Sequence, residues 1–148
     1  MGSRWHECRE NRGIIWIYMI FSFIIRKFPI YFVSLQKAMN MNTNKQVIER
    51  IKQTLHQHLP AGGRALLFGS QARGDAHAGS DWDILIILNK EKLLPDDYDN
   101  VTFPLTMLGW DLGEQINPIM YSAKEWEASR ITPFYQNVVQ DAIVLTRN

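Results

Sequence analysis

Cysteine is almost missing from this chain: Cys8 stands alone among 148 residues. An internal disulfide is therefore impossible, and neither a zinc cluster nor a pair of redox thiols is indicated. A reducing compartment suits such a chain, and the cytoplasm is the default expectation. An excess of charge is missing too. The formal net charge of +1 gives no reason to expect direct nucleic-acid binding. Internal repeats and low-complexity tracts are absent, which excludes solenoids and disordered tails. What remains is 46% hydrophobic and 21% charged, the balance of a chain that buries a core rather than staying unfolded. Its length suits one domain.

The near-zero charge conceals a break. Residues before Met39 carry six Lys or Arg against two Glu, leaving an acidic remainder. Gly13 to Leu35 is dominated by Ile, Phe, Tyr, Val and Met, long enough to span a bilayer, but Arg26-Lys27 and Phe28-Pro29 fall near its middle. A central charge pair opposes insertion by several kcal/mol, and the uninterrupted run from Ile14 to Ile25 is too short to cross unaided. As a signal peptide it has no convincing small-residue cleavage site. Three readings remain: an over-extended reading frame whose natural start is Met39 or Met41, a membrane or interfacial anchor, or an extra packed helix. The first is favoured, so a membrane association is not expected. The chain divides into an extension over 1–40 and a functional domain over 41–148.

Helical periodicity first becomes clear from Asn42 to Leu59, where Val47, Ile48, Ile51, Leu55 and Leu59 share a face. Asn42 or Thr43 can cap this helix, and Pro60-Ala61-Gly62-Gly63 ends it. His56 and His58 point in different directions on it and are expected at the surface rather than as a metal pair. Ala65 to Phe68 reads as a strand, Gln71 to Arg73 as the start of a short helix, and Asp81 to Leu88 as a second strand. Asn89 to Asp99 reads as a loop, with Asp96, Asp97 and Asp99 solvated, because an EF-hand would need a glycine and a distal glutamate. A helix over Val101 to Leu112 follows, with Pro104 in its first turn and Gly113 as its stop. Gln115 to Tyr121 is a third strand whose Pro118 argues for an edge or a bulge. Ser122-Ala123-Lys124-Glu125 has the capping-box pattern. Thr132-Pro133 opens a helix to about Val139, and Ala142 to Thr146 closes as a strand. The order of elements predicts an α/β (α+β) fold, a small mixed sheet flanked by helices.

The chemistry concentrates between the first two strands. Asp81 and Asp83 are one residue apart at a strand entrance, so both project to one face while Trp82 turns away. Two neighbouring carboxylates repel unless a cation lies between them, and an all-oxygen donor set favours Mg²⁺ or Mn²⁺ over zinc. The Gly69-Ser70 corner offers a backbone that a phosphate can approach closely and a hydroxyl to bond it. Metal and phosphate together point to a nucleotide. A P-loop is excluded: Gly74 to Gly79 has its glycine spacing, but Ser80-Asp81 stands where Lys-Ser or Lys-Thr belongs. Arg73 is a candidate phosphate contact, and His77 lies in the same turn but is expected to be solvated.

Gly69-Ser70-Gln71-Ala72-Arg73-Gly74 leading to Ser80-Asp81-Trp82-Asp83 resembles the signature of the DNA polymerase beta-like nucleotidyltransferase superfamily, most closely its minimal prokaryotic members (MNT type). Many of these are antitoxins paired with HEPN ribonucleases. The resemblance covers roughly Asn42 to the end. It implies a nucleotidyltransferase fold, ATP as substrate, Asp81 and Asp83 as catalytic metal ligands, and Gly69, Ser70 and Arg73 at the nucleotide. It also implies a third carboxylate on the next core strand, where this chain offers Asn117. An asparagine can ligate through its carbonyl but cannot act as a general base. Glu114 or Asp111 would substitute only if the strand register differed.

Three functions follow from the resemblance. The first is Mg²⁺-dependent transfer of AMP to a hydroxyl, a tyrosine of a partner HEPN toxin, within a hetero-oligomer. The second is a degenerate nucleotidyltransferase that neutralises its partner by binding alone, which Asn117 favours. The third is transfer to a small molecule such as an aminoglycoside, for which no additional substrate domain is evident.

Overall fold

A computed structural model of the chain describes residues 33–35 and 43–148. The readings of the hydrophobic stretch before residue 33 and of the start at Met39 or Met41 lie outside the described residues. Gln46–Asn148 forms one compact unit. Among the described residues, no helix is long and apolar enough to cross a membrane.

The first amphipathic stripe folds as expected, into a helix over residues 43–58 (α1) that buries Val47, Ile51 and Leu55, with Leu59 just beyond its end. His56 and His58 are exposed. Four strands follow: β1 (Arg64–Phe68), β2 (Trp82–Leu88), β3 (Ile116–Ser122) and β4 (Ile143–Arg147). They form one sheet in the order β3-β2-β1-β4, with β1 antiparallel to β2 and β4, and β2 parallel to β3. The mixed sheet is as expected. Pro118, which has no N–H to give a ladder, lies on an edge strand, again as expected.

β2 is central in this order and buried on both faces, so its sequence is a continuous apolar run rather than an alternation. One of its faces carries Trp82, Ile84, Ile86 and Leu88 into a core with α1, Ala65, Leu67 and the helix α4 (Phe103–Leu112). The other face carries Leu85 and Ile87 against Trp126 and Val138, from α5 (Ala123–Ala128) and α6 (Pro133–Asp141). The result is helices on both sides of one sheet. The second core is aromatic. Trp126 stands edge-on to Tyr121 at 5.5 Å and to Phe134 at 6.2 Å, and lies 4.6 Å from Tyr135, separations at which rings attract beyond their buried area.

The capping box predicted at Ser122 forms, while the Asn42 cap lies outside the described residues. The Ser122 Oγ accepts from the Glu125 N–H at 3.2 Å, and the Glu125 carboxylate accepts from the Ser122 N–H at 2.9 Å, which satisfies two donors at the start of α5. That backbone donor holds the Glu125 carboxyl below its ordinary range. Thr132 caps α6 by accepting from the Tyr135 N–H.

The expected loop over 89–99 is only partly a loop. Pro95 opens a short helix, α3 (Pro95–Asp97), which continues through a π turn (Tyr98–Thr102) into α4. Asp97 is not solvated as predicted. It is 8% exposed, accepts from the Leu94 N–H at 2.9 Å, and pairs with Lys90. The Lys90 ammonium first, and the Leu94 N–H second, hold its carboxyl below the usual range. Pro104 lies in the first turn of α4, as expected, although the π turn runs directly into that helix. The Phe103 N–H donates to the Tyr98 carbonyl five residues back, so the ladder has already shifted where proline offers no donor.

Candidate active site

In register, Asp83 lies between Phe68 of β1 and Asn117 of β3. Asp81 precedes β2 by one residue, with the same parity. Trp82 between them is fully buried in the α1/α4 core. Its indole N–H, which cannot be left unpaired there, donates to the Glu114 carboxylate at 3.1 Å, and its backbone N–H donates to the Gln115 carbonyl at 2.8 Å. With Trp82 pinned on one side, the flanking acids turn to the other. The Asn117 Nδ2 donates to the Asp81 Oδ2 at 3.1 Å and to the Asp83 Oδ1 at 3.4 Å. A single amide nitrogen within reach of both carboxylates means that the two acids converge.

The corner meets them there. Gly69 has φ 75° and ψ −156°, a region that only glycine occupies without strain. A Cβ at that position would lie 2.6 Å from the Asp83 Oδ2. The missing side chain is thus what lets the Asp83 carboxylate sit against the corner. Ser70 opens α2 (Ser70–Arg73) directly after it and is half-buried. The turn beyond α2 is held by its own side chains: Gln71 donates to the Ser80 carbonyl, and the Ser80 Oγ accepts from the His77 N–H. His77 is exposed, as expected.

Arg73 is engaged elsewhere. Its guanidinium pairs with Asp75 at 3.2 Å and, across the fold, with Asp141 at the end of α6 at 3.5 Å. The structure therefore brings Gly69, Asp81, Asp83 and Asn117 together, with Ser70 next to Gly69 in the chain, and places the Arg73 charge between two carboxylates. Sequence reasoning missed Glu114 as the anchor of Trp82. A tryptophan at the entrance of a buried strand needs an acceptor, and that need was the available signal. Because Glu114 is used in this way and Asp111 is exposed, neither stands at the third position. Asn117 does.

Among the described residues, no three of His, Cys, Asp or Glu gather as a metal cage. The donor set nonetheless fits a hard divalent cation. Mg²⁺ commonly takes one or two carboxylates and completes its shell with water and substrate phosphate. The Asn117 amide, turned by 180°, would present its carbonyl oxygen in place of the nitrogen that now bridges the acids. Beside Asn117, on the side away from Gly69, a cavity of about 610 Å³ is lined by Thr106, Gly109, Trp110, Gln115 and Ile116.

Comparison with known proteins agrees with this geometry. A family described as "Nucleotidyltransferase domain" matches residues 48–136. The chain belongs to that nucleotidyltransferase family. It is 31% identical over 105 residues to a protein of Methanocaldococcus jannaschii described as "Putative protein adenylyltransferase", covering 71% of this chain and 99% of the relative. The nucleotidyltransferase fold also superposes on a chain of a toxin-antitoxin complex crystallised with AMP-PNP (TM-score 0.51, 22% identity, 68% of this chain and 73% of that one). A mutant MntA-HpeT toxin-antitoxin complex matches with the same score and coverage at 20% identity. At such identities the structural likeness establishes the fold. The expected membership of a nucleotidyltransferase family is borne out.

Proposed function

We propose that this nucleotidyltransferase transfers AMP from ATP to a hydroxyl on a protein partner, a HEPN-type toxin that it silences in the cytoplasm. The observation that carries the reading is the convergence of Asp81 and Asp83 on one atom beside the bare corner at Gly69. Its support is the family, the adenylyltransferase description of the relative, and a fold shared with toxin-antitoxin proteins, one of them holding AMP-PNP.

In this reading Asp81 and Asp83, with the Asn117 carbonyl, would hold Mg²⁺ or Mn²⁺. Such an ion supplies positive charge to the phosphate oxygens and to the departing pyrophosphate. Gly69 leaves room for the triphosphate, and the Ser70 hydroxyl donates to it. Arg73, held by Asp75 and Asp141, would reach the phosphates only by leaving one of those partners. The acceptor oxygen attacks the α-phosphorus, the bond to the bridging oxygen breaks, and pyrophosphate leaves. The hydroxyl proton goes to water or to a base on the acceptor, because Asn117 cannot take it. Residues 41–148 are the working body.

Incubation of the full chain with labelled ATP, MgCl₂ and a co-expressed HEPN partner tests this. Label should appear on the partner and be lost in the Asp81→Asn/Asp83→Asn double variant. Absence of label, with the double variant indistinguishable from wild type in nucleotide binding, removes the enzymatic reading.

One observation favours a second reading, an antitoxin that acts by association alone. The register places an amide, not a carboxylate, opposite Asp83. This reading requires toxin suppression to survive loss of both aspartates.

A further inference from the structure

Helix α4 is apolar on two opposite faces. Leu105 and Leu108, preceded by Val101 in the π turn, are buried in the core with α1. Phe103, Met107 and Trp110, at the i, i+4 and i+7 positions that share the other face of a helix, are 55%, 38% and 70% exposed. A helix that is apolar all round is ordinarily buried all round. Here one face is bare, and its last member, Trp110, lines the cavity that ends at Asn117. Large aromatic and Met side chains on a continuous exposed strip are the composition of interface centres.

The surroundings select the occupant. No Lys or Arg occurs between Lys92 and Lys124, whereas Asp96, Asp99, Asp111 and Glu114 occur in that interval. Asp99 and Asp111 are exposed. Such a rim repels a phosphate backbone and attracts cationic side chains. The position of the strip adds direction. Gly69 lies on the β1 side of Asp83, while Asn117 and the cavity lie on the β3 side. α4 packs on the Trp82 face of the sheet, so a polypeptide seated on it approaches the site at the β3 edge, where Trp110 and Asn117 line one cavity.

We propose that Phe103, Met107 and Trp110, with the cavity beside Asn117, form the docking surface for the acceptor protein, whose contact face is apolar and flanked by Lys and Arg. The proposal rests on the nucleotidyl-transfer reading for its purpose, but not for its test. The probe is a helical peptide of about 20 residues, long enough to hold a helix, with Leu and Phe on one face flanked by lysines. A second peptide carries glutamates in their place. Anisotropy titrations with the full chain at low salt should show at least tenfold tighter binding of the Lys peptide. A Phe103→Ser/Met107→Ser/Trp110→Ser variant should lose that binding at least tenfold, while Asp81→Asn/Asp83→Asn retains it. Asp99→Lys/Asp111→Lys, which leaves the strip intact, should reverse the preference between the peptides. Failure of the Lys peptide to bind, equal binding of both peptides, or an unaffected triple variant overturns the proposal. So does self-association of the wild type that the triple variant abolishes, which would make a second copy the occupant. Binding of a fluorescent ATP analogue with Mg²⁺ is measured on the same samples. Failure of the wild-type chain to bind the nucleotide, with peptide binding intact, sinks the enzymatic reading alone, and failure of the wild-type chain to bind the Lys peptide, with nucleotide binding intact, sinks the docking surface alone.

Discussion

Replacement of Gly69 by alanine tests the architecture of the site most directly. Two effects act at this position. The backbone, at φ 75° and ψ −156°, lies in a region that L-residues avoid, so an alanine held there is strained by about 1–3 kcal/mol. The new Cβ would also stand 2.6 Å from the Asp83 Oδ2. A carboxylate can swing away from a methyl group, so the steric part relaxes. In swinging, however, Asp83 leaves Asn117, whose bond to it at 3.4 Å is worth about 1 kcal/mol at most at a half-buried site. The expected loss is about 1–4 kcal/mol, read from urea denaturation of the full chain. Gly74→Ala is the control. That residue also has positive φ, 79°, with ψ 15°, but its Cβ would meet nothing within 4 Å. It should lose only the left-handed penalty of about 1 kcal/mol. Binding of Mg²⁺ and an ATP analogue should fall more than tenfold in Gly69→Ala and stay within twofold in Gly74→Ala. Equal stability of the two variants, or nucleotide binding retained in Gly69→Ala, would show that contact with Asp83 is not what glycine serves at the corner.

Three further perturbations are informative. Asn117→Asp replaces the bridging amide with a third negative charge and should reduce stability in EDTA by about 1–3 kcal/mol. Added Mg²⁺ should raise its melting temperature more than that of wild type, and melting curves in EDTA identical to wild type would contradict the convergence of the acids. Asp97 has a lowered pKa when folded, so its contribution is complete above the ordinary carboxylate range and is lost as pH falls through the lower folded value. Asp97→Asn should accordingly flatten the acid limb of a stability-against-pH curve and leave its alkaline limb unchanged, whereas an unaltered acid limb would place the titration elsewhere. Trp126 is 5% exposed amid three aromatic neighbours, and Trp126→Ala should cost about 3–5 kcal/mol. A chemical denaturation midpoint within error of wild type would mean that the second core is not packed as described.

Much of this molecule was written in short-range pattern. The stripe Val47, Ile51, Leu55 and Leu59, the apolar run of β2, the reciprocal cap at Ser122 and Glu125, and the shared direction of Asp81 and Asp83 follow from helix and strand periods. Those periods need only neighbours along the chain to operate. Pro118 announced an edge for the same kind of reason, since a missing donor excludes a central strand whatever lies around it. The tertiary structure decided what depends on residues far apart in sequence. The parallel register of β2 and β3 set Asn117 opposite Asp83 and released Glu114 to hold Trp82. The approach of α6 gave Arg73 a partner 68 residues away. Burial beside Lys90 turned Asp97 from an apparent loop charge into a cap. On α4, hydrophobicity alone could not say which apolar face would find a partner within the chain, because that choice belongs to the packing of α4 on the sheet.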